Sequence, residues 1–228
     1  MNELLPLSEM EYIDVHTHSP RKNGVFVQNI FAQELTDQFY PEIYCSIGFH
    51  PWHIEQFPAG KMINALRMHA GNKKVLAIGE CGLDKTITTA LSEQKKVFLA
   101  QLELAEFFRK PVIVHCVKAY NEIIQLRKSG KWNVPWLFHW FNSSYEIAMD
   151  LIASDCYLSF GRSLLKPNSK NAAVFANLPV ERVFLETDDA EASIEDIYHR
   201  ASEIKAIHVE EMQKRIWGNF NRLFGVLD

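Results

Sequence analysis

Short runs of apolar, β-branched and aromatic residues recur along the chain, and stretches with apolar residues at every third or fourth position separate them. The runs are Tyr12 to Val15, Val25 to Ile30, Ile43 to Ile47, Val75 to Ile78, Val112 to Val114, Pro135 to Phe138, Cys156 to Phe160 and Val183 to Leu185. Runs of this length and composition predict strands. Between Leu91 and Lys110, the residues Phe98, Leu102 and Ala105 share one helical face, with Ser92 as the predicted N-cap and Pro111 leading into the next strand. Tyr120, Ile123, Ile124 and Arg127 repeat the helical period, and Gly130 stands where a left-handed residue would end that helix. Ser143 with Glu146 three residues on predicts a capping box that opens a helix to about Ser154. Two more helices are predicted, from Ser193 to about His208 and from Met212 to Phe224.

Strands alternating with helices, without linker, low-complexity tract or fixed-period repeat, predict a single domain over residues 1–228. Its class is α/β, a compact (β/α)8 TIM barrel. One connection does not fit that scheme. Only the nine residues from His16 to Gly24 separate the first two runs, whereas a parallel crossover needs about a dozen or more. Either the first βα unit is degenerate, or Val25 to Ile30 is not a parallel barrel strand.

Composition narrows the function less than the pattern does. With 47% hydrophobic and 23% charged residues the chain can bury a sizeable core, which excludes the disordered and collagen-like classes. The net charge of -4 supplies no global positive field, so contact with nucleic acid has to rest on a local basic strip. Cys45, Cys81, Cys116 and Cys156 lie in or beside apolar runs without C-x-x-C pairing, as reduced core thiols do. The opening MNELLPLSEMEY lacks the plan of a signal peptide, and no stretch reaches the ~20 apolar residues that span a bilayer. The expected location is cytoplasmic, with no membrane and no obligate protein partner.

In a barrel of this kind the C-terminal strand ends form the rim on which active sites are built. The first run closes in Asp14-Val15-His16-Thr17-His18, where alternation puts Asp14 and both histidines on one face. Glu80, His115, His139 and Asp188 close four further strands. Taken singly, a histidine after an apolar run is more often a hydrogen-bonded structural residue than a ligand. Four histidines and two carboxylates at equivalent rim positions would be costly without a cation among them, so jointly they predict a metal site. Imidazole and carboxylate without thiolate suit zinc first, then manganese, iron or nickel, and magnesium less.

These residues sit in stretches that resemble the TatD family of metal-dependent nucleases and hydrolases. The stretches are IDVHTH (Ile13 to His18), GFHPWH (Gly48 to His53), AIGECGLD (Ala77 to Asp84), PVIVHC (Pro111 to Cys116), FHWF (Phe138 to Phe141), LSFG (Leu158 to Gly161) and LPVERVFLETD (Leu178 to Asp188), in family order across nearly the whole chain. The resemblance implies a (β/α)8 barrel, two divalent metal ions and phosphodiester hydrolysis, with deoxyribonuclease activity the usual assignment. It implies His16, His18 and Asp188 on one metal, His115 and His139 on the other, and Glu80 bridging both. Glu80 and Asp188 would be the catalytic pair, Asp188 serving as general base to a water. His50, in the Gly48-Phe49-His50-Pro51 turn, is a candidate donor to a substrate phosphate. Asp14 and Asp84 would orient the ligands.

The chain also departs from the family pattern. The segment between the histidine pair and the turn at His50 is short. After Asp188 the usual small, proline-containing loop gives way to Asp189-Ala190-Glu191-Ala192-Ser193, whose charge would repel phosphates. Trp140 and Phe141 replace the usual serine and glycine and could stack on a base. The short basic pairs Arg21-Lys22, Lys73-Lys74, Lys95-Lys96 and Arg109-Lys110 are read as solvated surface. Arg162 and Lys166, just past a strand end, are better placed to meet phosphate. The expected substrate is DNA or a small phosphodiester. Competing readings are an amidohydrolase-like enzyme cleaving a C–N or ester bond, a phosphoesterase of the polymerase and histidinol phosphatase type, and a non-catalytic metal-binding module. The first often bridges its metals with a modified lysine where this chain has Glu80, and the second would want more ligands further along.

Overall fold

All eight apolar runs form strands of one parallel sheet in a computed structural model that describes residues 11–19 and 24–225. They are β1 (Ile13–Thr17), β2 (Val25–Phe31), β3 (Cys45–Gly48), β4 (Val75–Asp84), β5 (Val112–Val117), β6 (Trp136–Phe138), β7 (Cys156–Phe160) and β8 (Val183–Leu185). Each pairs with the next in chain order, and a parallel bridge between Thr17 and Asp188 joins the last strand to the first. The sheet is thus a (β/α)8 barrel. Arg21-Lys22 and all but the end of the opening stretch lie outside the described residues.

The helices are α1 (Ala59–His69), α2 (Leu91–Phe108), α3 (Tyr120–Lys128), α4 (Tyr145–Ala153), α5 (Lys170–Asn177), α6 (Ile194–Lys205) and α7 (Val209–Phe224). None among the described residues is long and apolar enough to cross a membrane. Two predicted caps shift. α2 begins after Ala90, so Ser92 lies inside its first turn. The side chain capping α4 is Ser144, one residue beyond the predicted Ser143, and it accepts a hydrogen bond from Ile147 N at 3.4 Å.

The first βα unit is degenerate, as its length demands. Only residues 18–24 join β1 to β2, yet Ile13 stands opposite Val25 and Asp14 opposite Phe26 in parallel register. The same economy extends to the second unit, which the chain pattern did not reveal. Between β2 and β3 there is one turn of 3-10 helix, Ala32–Glu34, and no α-helix. With little packed outside it, β2 has five of its seven residues only half-buried, while β1, β3 and β4 are buried throughout. The C-terminal helices cover the other side of β1. α7 packs on β8 and β1, and the Tyr198 hydroxyl of α6 accepts from Ile13 N (3.2 Å) and donates to Ile13 O (3.1 Å).

β4 runs to Asp84, well beyond the predicted end, and its register against β5 shifts between Ile78 and Cys81. Two glycines permit that bulge to press on β5. Gly79 and Gly82 have φ of 141° and 154°, and a Cβ on them would sit 2.3 Å from Ile113 O and 2.0 Å from His115 O. Glu80 is therefore an interior residue of a bulged strand rather than a strand end.

Few backbone bonds close the barrel between β8 and β1. Asp188 N donates to His16 O (3.0 Å) and His18 N to Asp188 O (3.1 Å). The buried Asp14 carboxylate reinforces them, accepting from Thr187 N at 3.0 Å and from the Thr187 hydroxyl. Asp14 thus secures the strands that carry the histidine pair and Asp188. Asp14→Ala would strip buried donors of their acceptor, a loss of about 1–3 kcal/mol. The expected outcome in urea unfolding is a lower midpoint at unchanged slope.

Candidate metal centre

Five strands bring the predicted ligands to one mouth. His16 and His18 come from the end of β1, Glu80 from the β4 bulge, His115 from β5, His139 from the turn after β6, and Asp188 from just beyond β8. The cleft above them has a volume of about 310 Å³ and is also lined by Phe31, His50, Trp52, Trp140, Arg162 and Asp189. His16 has no exposure and forms part of the layer beneath.

The two carboxylate oxygens of Glu80 divide the imidazoles into two groups. Oε2 faces His16 Nε2 and His18 Nε2, each at 3.6 Å. Oε1 faces His115 Nδ1 and His139 Nε2, each at 2.7 Å, and His50 Nε2 at 3.2 Å. Asp188 Oδ1 joins the first group, 3.1 Å from His18 Nε2 and 3.5 Å from His16 Nε2. Three sets of donors converge closely enough for one cation each: His16 with His18 and Glu80; His16 with His139 and Asp188; and His50 with Glu80 and His115. The last places His50 among the donor atoms, beyond its predicted contact with phosphate.

Electrostatics separates the same groups. Burial opposes charge on Glu80, yet His139, His50 and His115 outweigh it and hold the carboxyl well below the usual range. His16 and His18 do the same for Asp188 against its own burial. Burial also works against a proton on His16, but Asp188 and Glu80 raise its pKa well above the ordinary value. Against burial, Asp84 and Glu80 lift His115 to about 9. His50 and His139 go the other way, because burial lowers both, His50 to about 4. Trp52 N donates to His50 Nδ1 at 3.2 Å, so neutral His50 carries its proton on Nε2, toward Glu80.

The donor set fits a divalent cation. Buried imidazole nitrogens normally have partners, but among the described residues His16 Nε2, which faces the cluster, has no hydrogen-bond partner and meets carboxylates only at 3.5 Å or more. Beside this set the Asp84 carboxylate contacts His115, Trp52 and Thr86. Its Oδ2 lies 3.4 Å from His115 Nε2 and accepts from Trp52 Nε1 at 2.8 Å, while Oδ1 accepts from Thr86 N at 2.8 Å. Arg162 lines the cleft and stands over the Trp140 ring, its guanidinium carbon 5.1 Å from the centroid. Lys166 lines a neighbouring hollow instead, and Phe141 is core.

Two supporting residues escaped the sequence reading. Asn29 Oδ1, on β2, accepts from Glu80 N at 2.7 Å and from the Ser46 hydroxyl at 3.2 Å, fixing the β4 bulge from the far side. Its signal was a polar residue interrupting an apolar run. Glu186 is buried, accepting from the Ser159 hydroxyl at 2.6 Å and from Trp140 N. Burial, aided by Asp188, pushes its pKa up to about 8, so it ties β7 and the Trp140 turn together as a neutral acid at pH 7. Alternation backwards from Asp188 would have put it on the inward face.

Comparison with known proteins finds relatives over most of the chain. A family model described as TatD-related DNase matches residues 21–225. The uncharacterized metal-dependent hydrolase YabD of Bacillus subtilis is 29% identical over 86% of this chain and 82% of its own length. The 3'-5' ssDNA/RNA exonuclease TatD of Pantoea ananatis is 27% identical over 86% and 83%. The crystal structure of YJJV, a TatD homologue from Escherichia coli, superposes with a TM-score of 0.80 at 21% identity, covering 95% of this chain and 98% of that one. The last likeness speaks for the fold.

Asn29→Ala would leave the Glu80 amide buried and unpaired, at a cost of about 1–3 kcal/mol. Thermal unfolding is expected to show a fall in Tm of several degrees, with Asn29→Asp, which keeps an acceptor, closer to the parent.

Proposed function

Because the chain belongs to the TatD-related DNase family over residues 21–225, we propose that it is a metal-dependent nuclease hydrolysing phosphodiester bonds of single-stranded nucleic acid, acting from a single barrel domain. The observation that carries this reading is the division of the imidazoles between the two oxygens of Glu80. That arrangement suits a carboxylate shared by two divalent ions, zinc foremost given the nitrogen-rich donor set. His16, His18 and Asp188 would hold one, and His115 and His139 the other with His50 beside them. When bound, such ions supply Lewis-acid charge to a phosphate oxygen and lower the pKa of water.

The chain's own groups divide the remaining work. Asp188 Oδ1, kept ionised by His16 and His18, accepts the proton of the attacking water. Asp84 holds His115 in orientation through Nε2, as a carboxylate behind a ligating histidine does. Arg162 meets the phosphate from the β7 side of the cleft. Trp52, over half exposed yet bonded through Nε1 to Asp84, and Phe31 form the opposite wall and shield the site from bulk water. Asp189, exposed at the mouth, repels phosphate there and leaves the β7 side as the favoured approach.

Metal content and turnover test the reading together. Protein purified without added metal is expected to carry two equivalents by elemental analysis, and Glu80→Ala to lose both at once; two equivalents retained in the variant would refute the bridging role. Asp188→Asn is expected to lower kcat on a single-stranded oligonucleotide by about 10²–10⁴, the usual worth of general-base help. A fully metal-loaded protein that cleaves neither an oligonucleotide nor a simple phosphodiester would sink the nuclease assignment.

A further inference from the structure

Beside the catalytic cleft lies a second hollow of about 370 Å³, and Trp140 and Arg162 line both. We propose, building on the nuclease reading, that this hollow is a track for the nucleotides adjoining the scissile phosphate of a single strand. Lys166, Lys170 and Ser169 form its far side, where α5 begins. Among the described residues no carboxylate lines the hollow, whereas Asp188 and Asp189 line the catalytic cleft. A chain whose net charge is -4 thus gathers, on one side of its active site, cations that have no ion-pair partner among the described residues. A polyanion entering the cleft is repelled past Asp189 and drawn toward Arg162, Lys166 and Lys170.

Trp140 sits at the junction. Its backbone is left-handed, with φ of 46°, and its amide is held by the buried Glu186. The turn therefore presents the indole at the lip between the two hollows, where it is only half-buried and carries the Arg162 guanidinium at 5.1 Å. An aromatic plane followed by spaced cations is the plan of surfaces that bind single strands, where unpaired bases stack and the backbone follows the charge. A duplex offers the indole no free base.

The test measures binding separately from cleavage, by fluorescence anisotropy of a labelled phosphorothioate octathymidylate across a salt series. In single-strand binding each lost phosphate contact lowers the log–log salt slope by about 0.7, so Lys166→Ala and Lys170→Ala are each expected to remove that much. Trp140→Ala is expected to weaken binding about tenfold at unchanged slope, and Trp140→Phe to retain most of it; circular dichroism confirms that both are folded. An unchanged slope in the double lysine variant overturns the proposal, as does a duplex bound as tightly as the single strand. Cleavage of unmodified octathymidylate is scored independently: a strand bound with the expected slopes but never cut refutes the nuclease reading, and cutting with unmoved slopes refutes the track.

Discussion

A carboxylate buried at the centre of a barrel mouth is the constraint on which this site depends. Glu80 is almost wholly removed from water, and the effective cost of burying an ion is several kcal/mol unless opposite charge and hydrogen bonds surround it. Here His16 and His18 approach one oxygen and His50, His115 and His139 the other. That balance requires β1, β4, β5 and the turns after β3 and β6 to converge within a few ångströms. Asn29 and the bulge-forming Gly79 and Gly82 serve the same end, because they place Glu80 where both sets can reach it.

Much of this was legible in the sequence, for identifiable reasons. Strands buried on both faces are continuous apolar runs, and all eight stood out. The residues that converge at the mouth stood out because a barrel puts its chemistry at strand ends, so a histidine or carboxylate following an apolar run marks itself, although Glu80 proves to lie inside β4. What the pattern missed depends on tertiary context. The β4 bulge extends a strand past the polar residues that seemed to end it. The second helix-poor unit hides in residues 32–44, where Phe39 and Tyr44 pack on the core without building a helix. Glu186 and Asn29 resemble breaks in their elements until the neighbours that accept or donate to them are in place. His50 was read as a turn residue facing substrate, and only geometry puts its Nε2 within 3.2 Å of Glu80.

The shortened first half reshapes the mouth as well as the outer shell. In place of long βα connections, β2 ends in Phe31, whose ring centroid lies 5.4 Å from that of His18 and 4.8 Å from that of His53. The Pro51–His53 turn then lays Trp52 against Asp84. This wall is built from aromatic rings next to histidines, while the opposite wall, from β6 to α5, supplies the cations. The cleft is therefore polarised across its width, with Phe31 and Trp52 on one side and the Arg162 cation beside the Trp140 indole on the other.

Closure and chemistry share the same backbone. The seam between β1 and β8 relies on bonds made by His16, His18, Thr187 and Asp188, and both histidines and Asp188 are proposed ligands. A cation held there would tie together side chains from both strands at the point where the backbone ladder is thinnest. Since ligand binding to the folded state adds directly to stability, metal at the β1–β8 side would contribute more to holding the barrel shut than metal at the β5–β6 side, where the strands already pair continuously from Val112 opposite Trp136 to Val114 opposite Phe138. The two proposed positions would thus be unequal in structural consequence even though one carboxylate would join them.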